Sequence, residues 1–170
     1  MTDEMPDDAR SAFEGHDAFE PAEDGYQLTT TAFDVTATAS ARDDYATDFR
    51  VVVAVPTLDS AVEGEPVGDA VQSGWLDAFE RRLGDAPQST RASVDLDEFD
   101  VAVADGTVAV TYEFAFGDVE RAVAVAKTFA EYVEGTYVEG VVPGYDYGEP
   151  VSSLLGAAAT EDGERGGTPL

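Results

Sequence analysis

The stretch that most constrains the fold is VAVADGTVAVTYEFAF, at residues 101–116. Apolar residues alternate with small or polar ones up to Asp105-Gly106, and alternate again from Val108 to Phe116. A period of two is typical of a half-buried strand, and Asp-Gly is a preferred loop for a type I′ turn. The pattern therefore predicts a β-hairpin, which commits part of the sheet to antiparallel pairing.

Other segments show strand or helix periodicity. Residues 49–55 place Phe and Val on one face, which favours a central strand ending at Pro56. The Thr-rich residues 25–42 favour two more strands that meet near residues 33–34. Apolar spacing predicts helices over residues 6–19, 60–84 and 118–135, the last with Asp118 as its N-cap and Gly135 at its end.

The predicted order is helix, three strands, helix, two strands, helix. Strands grouped in hairpins favour an α+β fold with an antiparallel sheet over a doubly wound one. We expect about five strands, with the helices packed on one face. A chain of 170 residues has the size of one domain, which we place at residues 1–156. The remaining residues, 157–170, have the composition of a flexible C-terminal tail.

The charge balance is strongly acidic, with 36 Asp and Glu against 9 Lys and Arg and a net charge of -27. Lys127 is the only lysine, and the chain has no Cys, Ile or Asn. Scarcity of residues with AT-rich codons, together with the acid surplus, indicates the cytoplasm of an extreme halophile. In molar salt the Debye length is about 3 Å, so the repulsion within such a chain is largely screened.

Several classes of partner and location are disfavoured. The N-terminus lacks the basic and apolar regions of a signal peptide, and no run of about 20 apolar residues is present to span a bilayer. A polyanion or an anionic membrane surface requires a basic patch, which eight scattered arginines do not supply. We therefore expect a cytoplasmic protein that binds neither nucleic acid nor membrane.

No motif assigns a catalytic residue, a metal site or a cofactor. His16 is the only histidine and is interpreted as a packed side chain, and without cysteines it has no zinc-ligand spacing around it. The acidic run DLDEFD, residues 95–100, lacks the glycine of a calcium loop and is interpreted as a solvated strand beginning. We expect no cofactor, and the absence of such motifs favours a binding protein over an enzyme.

Three aromatic residues are the candidates for binding. Tyr145 and Tyr147 lie in GVVPGYDYGEP, residues 140–150, where glycines and prolines force turns. Such a segment is either a clasp, meaning a stretch that folds back over the sheet or a partner subunit, or a ligand loop; we favour the clasp. Trp75 lies at helical spacing from Val71 and Phe79, which favours a core position or an anchor in a dimer interface.

Two resemblances accompany this interpretation. The segments RSAFEGHDAFE, VVVAVPTLD, GWLDAFERRLGD and VEGVVPGYDYGEPVSSLL resemble an uncharacterised family of haloarchaeal proteins. The element order, small size and acidity resemble the type III secretion chaperone-like fold, a dimeric architecture that binds proteins. The second resemblance concerns architecture alone, and fold does not imply function.

Together these observations predict a non-catalytic, protein-binding module, chaperone- or adaptor-like, with an unknown protein partner and a possible homodimer. The alternative is a small-molecule binder or enzyme whose site is built from dispersed carboxylates and tyrosines.

Overall fold

Six strands form one antiparallel sheet in the computed structural model, which describes residues 5–43 and 45–166. The strands are β1 (Phe19–Ala22), β2 (Gly25–Leu28), β3 (Asp34–Ala41), β4 (Thr47–Pro56), β6 (Glu98–Ala104) and β7 (Thr107–Phe116), in the spatial order β1-β2-β3-β4-β7-β6. A separate two-stranded ladder joins β5 (Val62–Glu63) to β8 (Asp146–Tyr147). The predicted α+β class and antiparallel pairing are confirmed.

Five α-helices and one short 3-10 helix complete the described part of the chain. They are α1 (Asp7–Glu14), α2 (Leu58–Ala61), α3 (Asp69–Leu83), the 3-10 turn Ala86–Ser89, α4 (Val119–Gly140) and α5 (Val151–Gly166). Helix α5 continues through residues 157–166, part of the stretch that we assigned to a tail, and residues 167–170 lie outside the described residues.

The hairpin of β6 and β7 has the predicted two-residue turn. Asp105 and Gly106 adopt φ values of 52° and 78°, as a type I′ turn requires. Strand β4 occupies the predicted central position, because all ten of its residues pair with β7 and eight of them pair with β3.

The sheet has six strands rather than the five we expected. The additional strand, β1, begins at Phe19, the last residue of the helix that we predicted over residues 6–19. Helix α1 ends at Glu14, and the amide of the following Gly15 donates to Ser11. Phe19 is then buried against Phe13, with ring centroids 5.1 Å apart. This tertiary contact outweighs the weak helical periodicity of residues 15–19.

Two predicted helix boundaries are also wrong. The region 60–84 divides into α2, β5 and α3, because Gly64 takes a φ of 85° that a helix does not allow. Helix α4 passes through Gly135 and ends at Gly140. The next turn buries Thr136 and Tyr137, and this burial outweighs the cost of about 1 kcal/mol for a glycine within a helix.

The core lies between one face of the sheet and the helices. Strands β4 and β7 contribute to the core the buried side chains that alternate along them: Phe49, Val51, Val53, Val55, Val108, Val110, Tyr112 and Phe114. Phe129 of α4 packs on this face, with its ring 5.4 Å from that of Phe114 and 5.1 Å from that of Tyr112. On the opposite face, side chains such as Arg50 and Val52 remain exposed or half-buried.

Candidate functional site

Trp75 belongs to the core. Its side chain is 5% exposed, stacks on Phe79 with centroids 5.2 Å apart, and meets Tyr137 edge to face at 5.6 Å. Among the described residues, its indole Nε1 has no hydrogen-bond acceptor. A cavity of only about 40 Å³ adjoins Trp75 at the contact between α3 and α4.

Tyr145 and Tyr147 are both half-buried, and their rings meet edge to face at 6.5 Å. The two rings can meet because residues two apart in an extended segment point to the same side. The Tyr147 hydroxyl donates to the Val142 carbonyl oxygen at 2.5 Å, while β8 pairs with β5 and the Gly148 amide donates to Ala61.

Two of the three predicted binding residues, Trp75 and Tyr147, lie near the same aromatic side chain, that of Tyr137. Its hydroxyl donates to the Pro56 carbonyl oxygen at 3.0 Å. Burial raises the pKa of the Tyr137 phenol, and the nearby Tyr147 raises it further. Trp75, Tyr137 and Tyr147 thus connect the core to the segment 140–150. A phenol whose pKa is raised by burial stays protonated at neutral pH and offers no nucleophile.

The other polar candidates lie apart from this cluster. The His16 Nδ1 accepts a hydrogen bond from the Ala18 amide at 3.2 Å. Within the acidic run, Asp97 pairs with Arg42 at 2.9 Å, and Asp100 lies exposed on β6. No group of three or more His, Cys, Asp or Glu side chains in the described residues is placed to hold a metal ion. Every described helix is also too short or too polar to cross a bilayer.

The feature that the sequence did not reveal is an open sheet edge at β6. This strand is last in the sheet, and the register of its seven residues with β7 runs from Glu98 to Ala104 without a bulge. Val103 is 48% exposed, and Phe99 and Val101 are half-buried on the same side of the strand. Edge strands that are long, regular and apolar are templates for pairing with another chain.

The hairpin turn determines which backbone groups of β6 are free. Ala104 and Thr107 close the two-residue turn, and such a closing pair exchanges both of its hydrogen bonds. Bonded and non-bonded pairs then alternate, so Phe99, Val101 and Val103 direct their N–H and C=O groups away from β7. No turn, loop or cap hydrogen bond within the described ranges reaches these three residues.

A groove lies beside this edge on the helix side of the sheet. Its volume is about 440 Å³, and it is lined by Asp77, Glu80, Arg81, Gly84 and Phe99. The Phe99 ring stacks on Tyr112 at 5.3 Å and approaches Gly84, where an added Cβ would lie 3.8 Å from it. We call β6 together with this groove the β6 edge site.

The opposite edge of the sheet is built differently. Strand β1 has only four residues, and one of them is Pro21. A short strand and a proline within it are common means of blocking an edge from pairing. The hairpin that contains β6 was predictable from Asp105-Gly106, but its position at an edge depends on the strand order, which no local pattern encodes.

A second concave surface lies where β2 stops pairing with β3. It has a volume of about 730 Å³ and is lined by residues from the N-terminal segment, the β1–β2 turn, β3, β4 and β7. Arg10, Arg50 and Tyr26 line it together with Asp48 and Glu113. The Tyr26 hydroxyl donates to Glu14 at 2.8 Å, and Arg50 lies 3.7 Å from Glu113, so these groups already have partners.

Comparison with known proteins identifies a family but no activity. The profile described as "Family of unknown function (DUF5813)" matches residues 14–157, well over half of the chain, and the chain belongs to this family. Neither a curated protein nor a solved structure gave a significant match to it.

Proposed function

We propose that this member of the DUF5813 family is a protein-binding module that receives an extended segment of its partner at the β6 edge site. The observation that carries the proposal is the unblocked edge, with three outward residues whose backbone groups are free. In strand addition, main-chain hydrogen bonds supply affinity, and adjacent pockets that accept alternate side chains supply specificity. The groove beside Phe99 is suited to the second role.

The module is non-catalytic and acts in a halophilic, archaeal cytoplasm, with a chaperone- or adaptor-like role. The acid surplus supports the solvent assignment, because a net charge of -27 is tolerated best where salt screens it. An added strand has an advantage in that solvent, since backbone hydrogen bonds and apolar contacts survive screening better than surface ion pairs do.

Affinity capture of proteins from a halophile lysate in molar KCl tests this function. The wild-type chain and the Val101→Pro variant are compared as baits. Proline removes the outward N–H of Val101 and is tolerated on an edge strand when the lost donor faces away from the sheet. We expect Val101→Pro to lose the proteins that the wild type retains. Tyr45→Ala is the matched control, because Tyr45 is 87% exposed and lies outside the site. Retention of the same proteins by Val101→Pro would contradict the proposal.

The cleft that contains Arg10, Arg50 and Tyr26 favours a second candidate, a small-molecule binder or enzyme with a carboxylate and tyrosine site. Its volume of about 730 Å³ falls within the range of about 300–1,000 Å³ that is typical of ligand pockets. Arginines beside carboxylates suit a zwitterionic ligand such as an amino acid. Calorimetric titration with the standard amino acids, repeated with Arg50→Gln, tests this function. If the wild type shows no binding heat with any of these amino acids, this second candidate function is wrong.

A further inference from the structure

We propose that a second copy of this chain occupies the β6 edge, with the two β6 strands antiparallel about a two-fold axis at Val101. The inference rests on the proposed use of the β6 edge site and adds the identity of one partner. It follows from the fact that the strand complements itself in one register. A contact between two copies about a two-fold axis requires such self-complementarity.

The symmetry limits the possible registers. When the axis is perpendicular to the shared sheet, each residue opposes one on the same face of the other copy. With the axis at Val101, that residue opposes itself and Phe99 opposes Val103. All three apolar residues of the helix-side face then meet apolar residues, and such cross-strand pairs are the units that stabilise a sheet.

The same register separates the negative charges. Asp100 opposes Ala102 of the other copy, and Glu98 opposes Ala104, so no acidic residue of β6 faces another acidic one. An axis at Asp100 would place two aspartates opposite each other, and an axis at Phe99 would pair Glu98 with Asp100. Like charges directly opposite each other are destabilising.

Hydrogen bonding favours the same choice. Phe99, Val101 and Val103 carry the outward backbone groups, and an axis at Val101 pairs outward residues with outward residues along the whole strand. The N–H and C=O groups of all three residues are then satisfied in each copy. An axis at Ala102 also keeps the acids apart, but it opposes Phe99 to Asp105, in the turn, and leaves part of the ladder unpaired.

The resulting dimer joins the two six-stranded sheets into one continuous sheet. The helices of both copies lie on the same side of it, and the groove beside Phe99 becomes a cleft between the two copies of α3. The edges that remain are the β1 strands, which are short and contain Pro21. Self-pairing thus removes the unblocked edge and leaves the blocked one.

Light scattering in molar KCl measures the mass directly. We expect the wild type to have twice the chain mass of 17.9 kDa and Val101→Pro to have the mass of one chain with an unchanged circular dichroism spectrum. A wild type that stays at 17.9 kDa at every concentration would overturn the proposal. So would Val101→Pro that is folded and still dimeric.

The cysteine-free chain allows the register to be tested by cross-linking. In a hydrogen-bonded antiparallel pair the Cα atoms are about 5.5 Å apart, inside the disulfide range of about 4.4–6.8 Å. Val101→Cys should therefore form a disulfide dimer on mild oxidation. Val103→Cys is the control, because its two copies would lie more than about 13 Å apart along the strands. Equal cross-linking of both variants would contradict this register.

The two proposals fail in different ways. If the wild type is monomeric but Val101→Pro loses captured proteins, the edge binds another protein and the self-pairing is wrong. If the wild type is a dimer, the Val101→Cys variant cross-links its two copies and the wild type captures no other protein, the self-pairing holds and the wider protein-binding role is wrong.

Discussion

The Tyr112 hydroxyl donates a hydrogen bond of 2.7 Å to the carbonyl oxygen of Leu83. This bond joins the centre of β7 to the C-terminal end of α3, and the same ring supports Phe99 of the edge strand at 5.3 Å. Leu83 and Tyr112 are both fully buried. The position of β6 relative to α3, and so the shape of the β6 edge site, depends on this contact.

Tyr112→Phe tests the energetic weight of that bond. The substitution keeps the ring but leaves a buried carbonyl without its donor, so we expect a loss of about 1–3 kcal/mol in the free energy of unfolding. Tyr132→Phe is the control, because its hydroxyl donates to the neighbouring Arg82 carbonyl at 2.8 Å in an exposed position. The control should change stability by about 0.5 kcal/mol or less. Equal losses in urea unfolding would show that burial is not the deciding factor.

Gly106 is the position where the hairpin turn has no tolerance for a side chain. Its φ is 78°, and an added Cβ would lie 2.4 Å from the Ser60 Oγ. We expect Gly106→Val to destabilise the protein by about 1–3 kcal/mol, because a β-branched residue is strained at positive φ. Asp105→Asn, which keeps a residue suited to positive φ, should stay within about 0.5 kcal/mol of the wild type. Urea unfolding of the two variants makes the comparison, and a Gly106→Val protein as stable as the wild type would disprove this account of the turn.

Stability should fall at alkaline pH. Burial raises the pKa of both Tyr112 and Tyr137 above the usual value for tyrosine, and in the unfolded chain both return to about 10. Above about pH 10 the folded protein therefore keeps the two phenol protons that the unfolded chain loses. The contribution of these residues is complete below about pH 10 and decreases as the pH rises above that value. The urea midpoint between about pH 8 and pH 11.5 measures the effect, and Tyr112→Phe should show a shallower decrease. A urea midpoint that does not change with pH would contradict this prediction.

Folding should depend on salt. Repulsion among 36 acidic residues is strong in dilute buffer and screened in molar KCl. We expect the circular dichroism spectrum to lose intensity in dilute buffer and to recover when KCl is added. Identical spectra in the two conditions would remove the halophilic assignment.

The clasp interpretation of residues 140–150 can be tested through the two tyrosine hydroxyls. Tyr147 donates to Val142 within the same segment, so Tyr147→Phe should cost about 1 kcal/mol. Tyr145→Phe is the control, because Tyr145 is also half-buried, and it should cost about 0.5 kcal/mol or less. Urea unfolding measures both. If neither substitution alters stability but one abolishes partner capture, the segment is a recognition loop.

The sequence by itself determined the elements whose signals are local. Asp105-Gly106 between alternating strands specified the hairpin, the period-two pattern of residues 49–55 specified the central strand, and Asp118 capped α4 through hydrogen bonds from Glu120 and Arg121. In each case the stabilising interaction joins residues that are close in the chain, or the burial follows one regular period. Such a pattern can be recognised from the sequence without knowledge of the tertiary structure.

Only the tertiary structure decided the rest. Strand β1 exists because Phe19 packs on Phe13 and pairs with β2, and α4 passes Gly135 because Tyr137 is buried beyond it. The β6 edge site depends on which strand is last in the sheet, and the burial of Trp75 and Tyr147 depends on segments distant in the chain. These outcomes come from non-local packing, whose energy exceeds local propensity and leaves no periodic signal in the sequence.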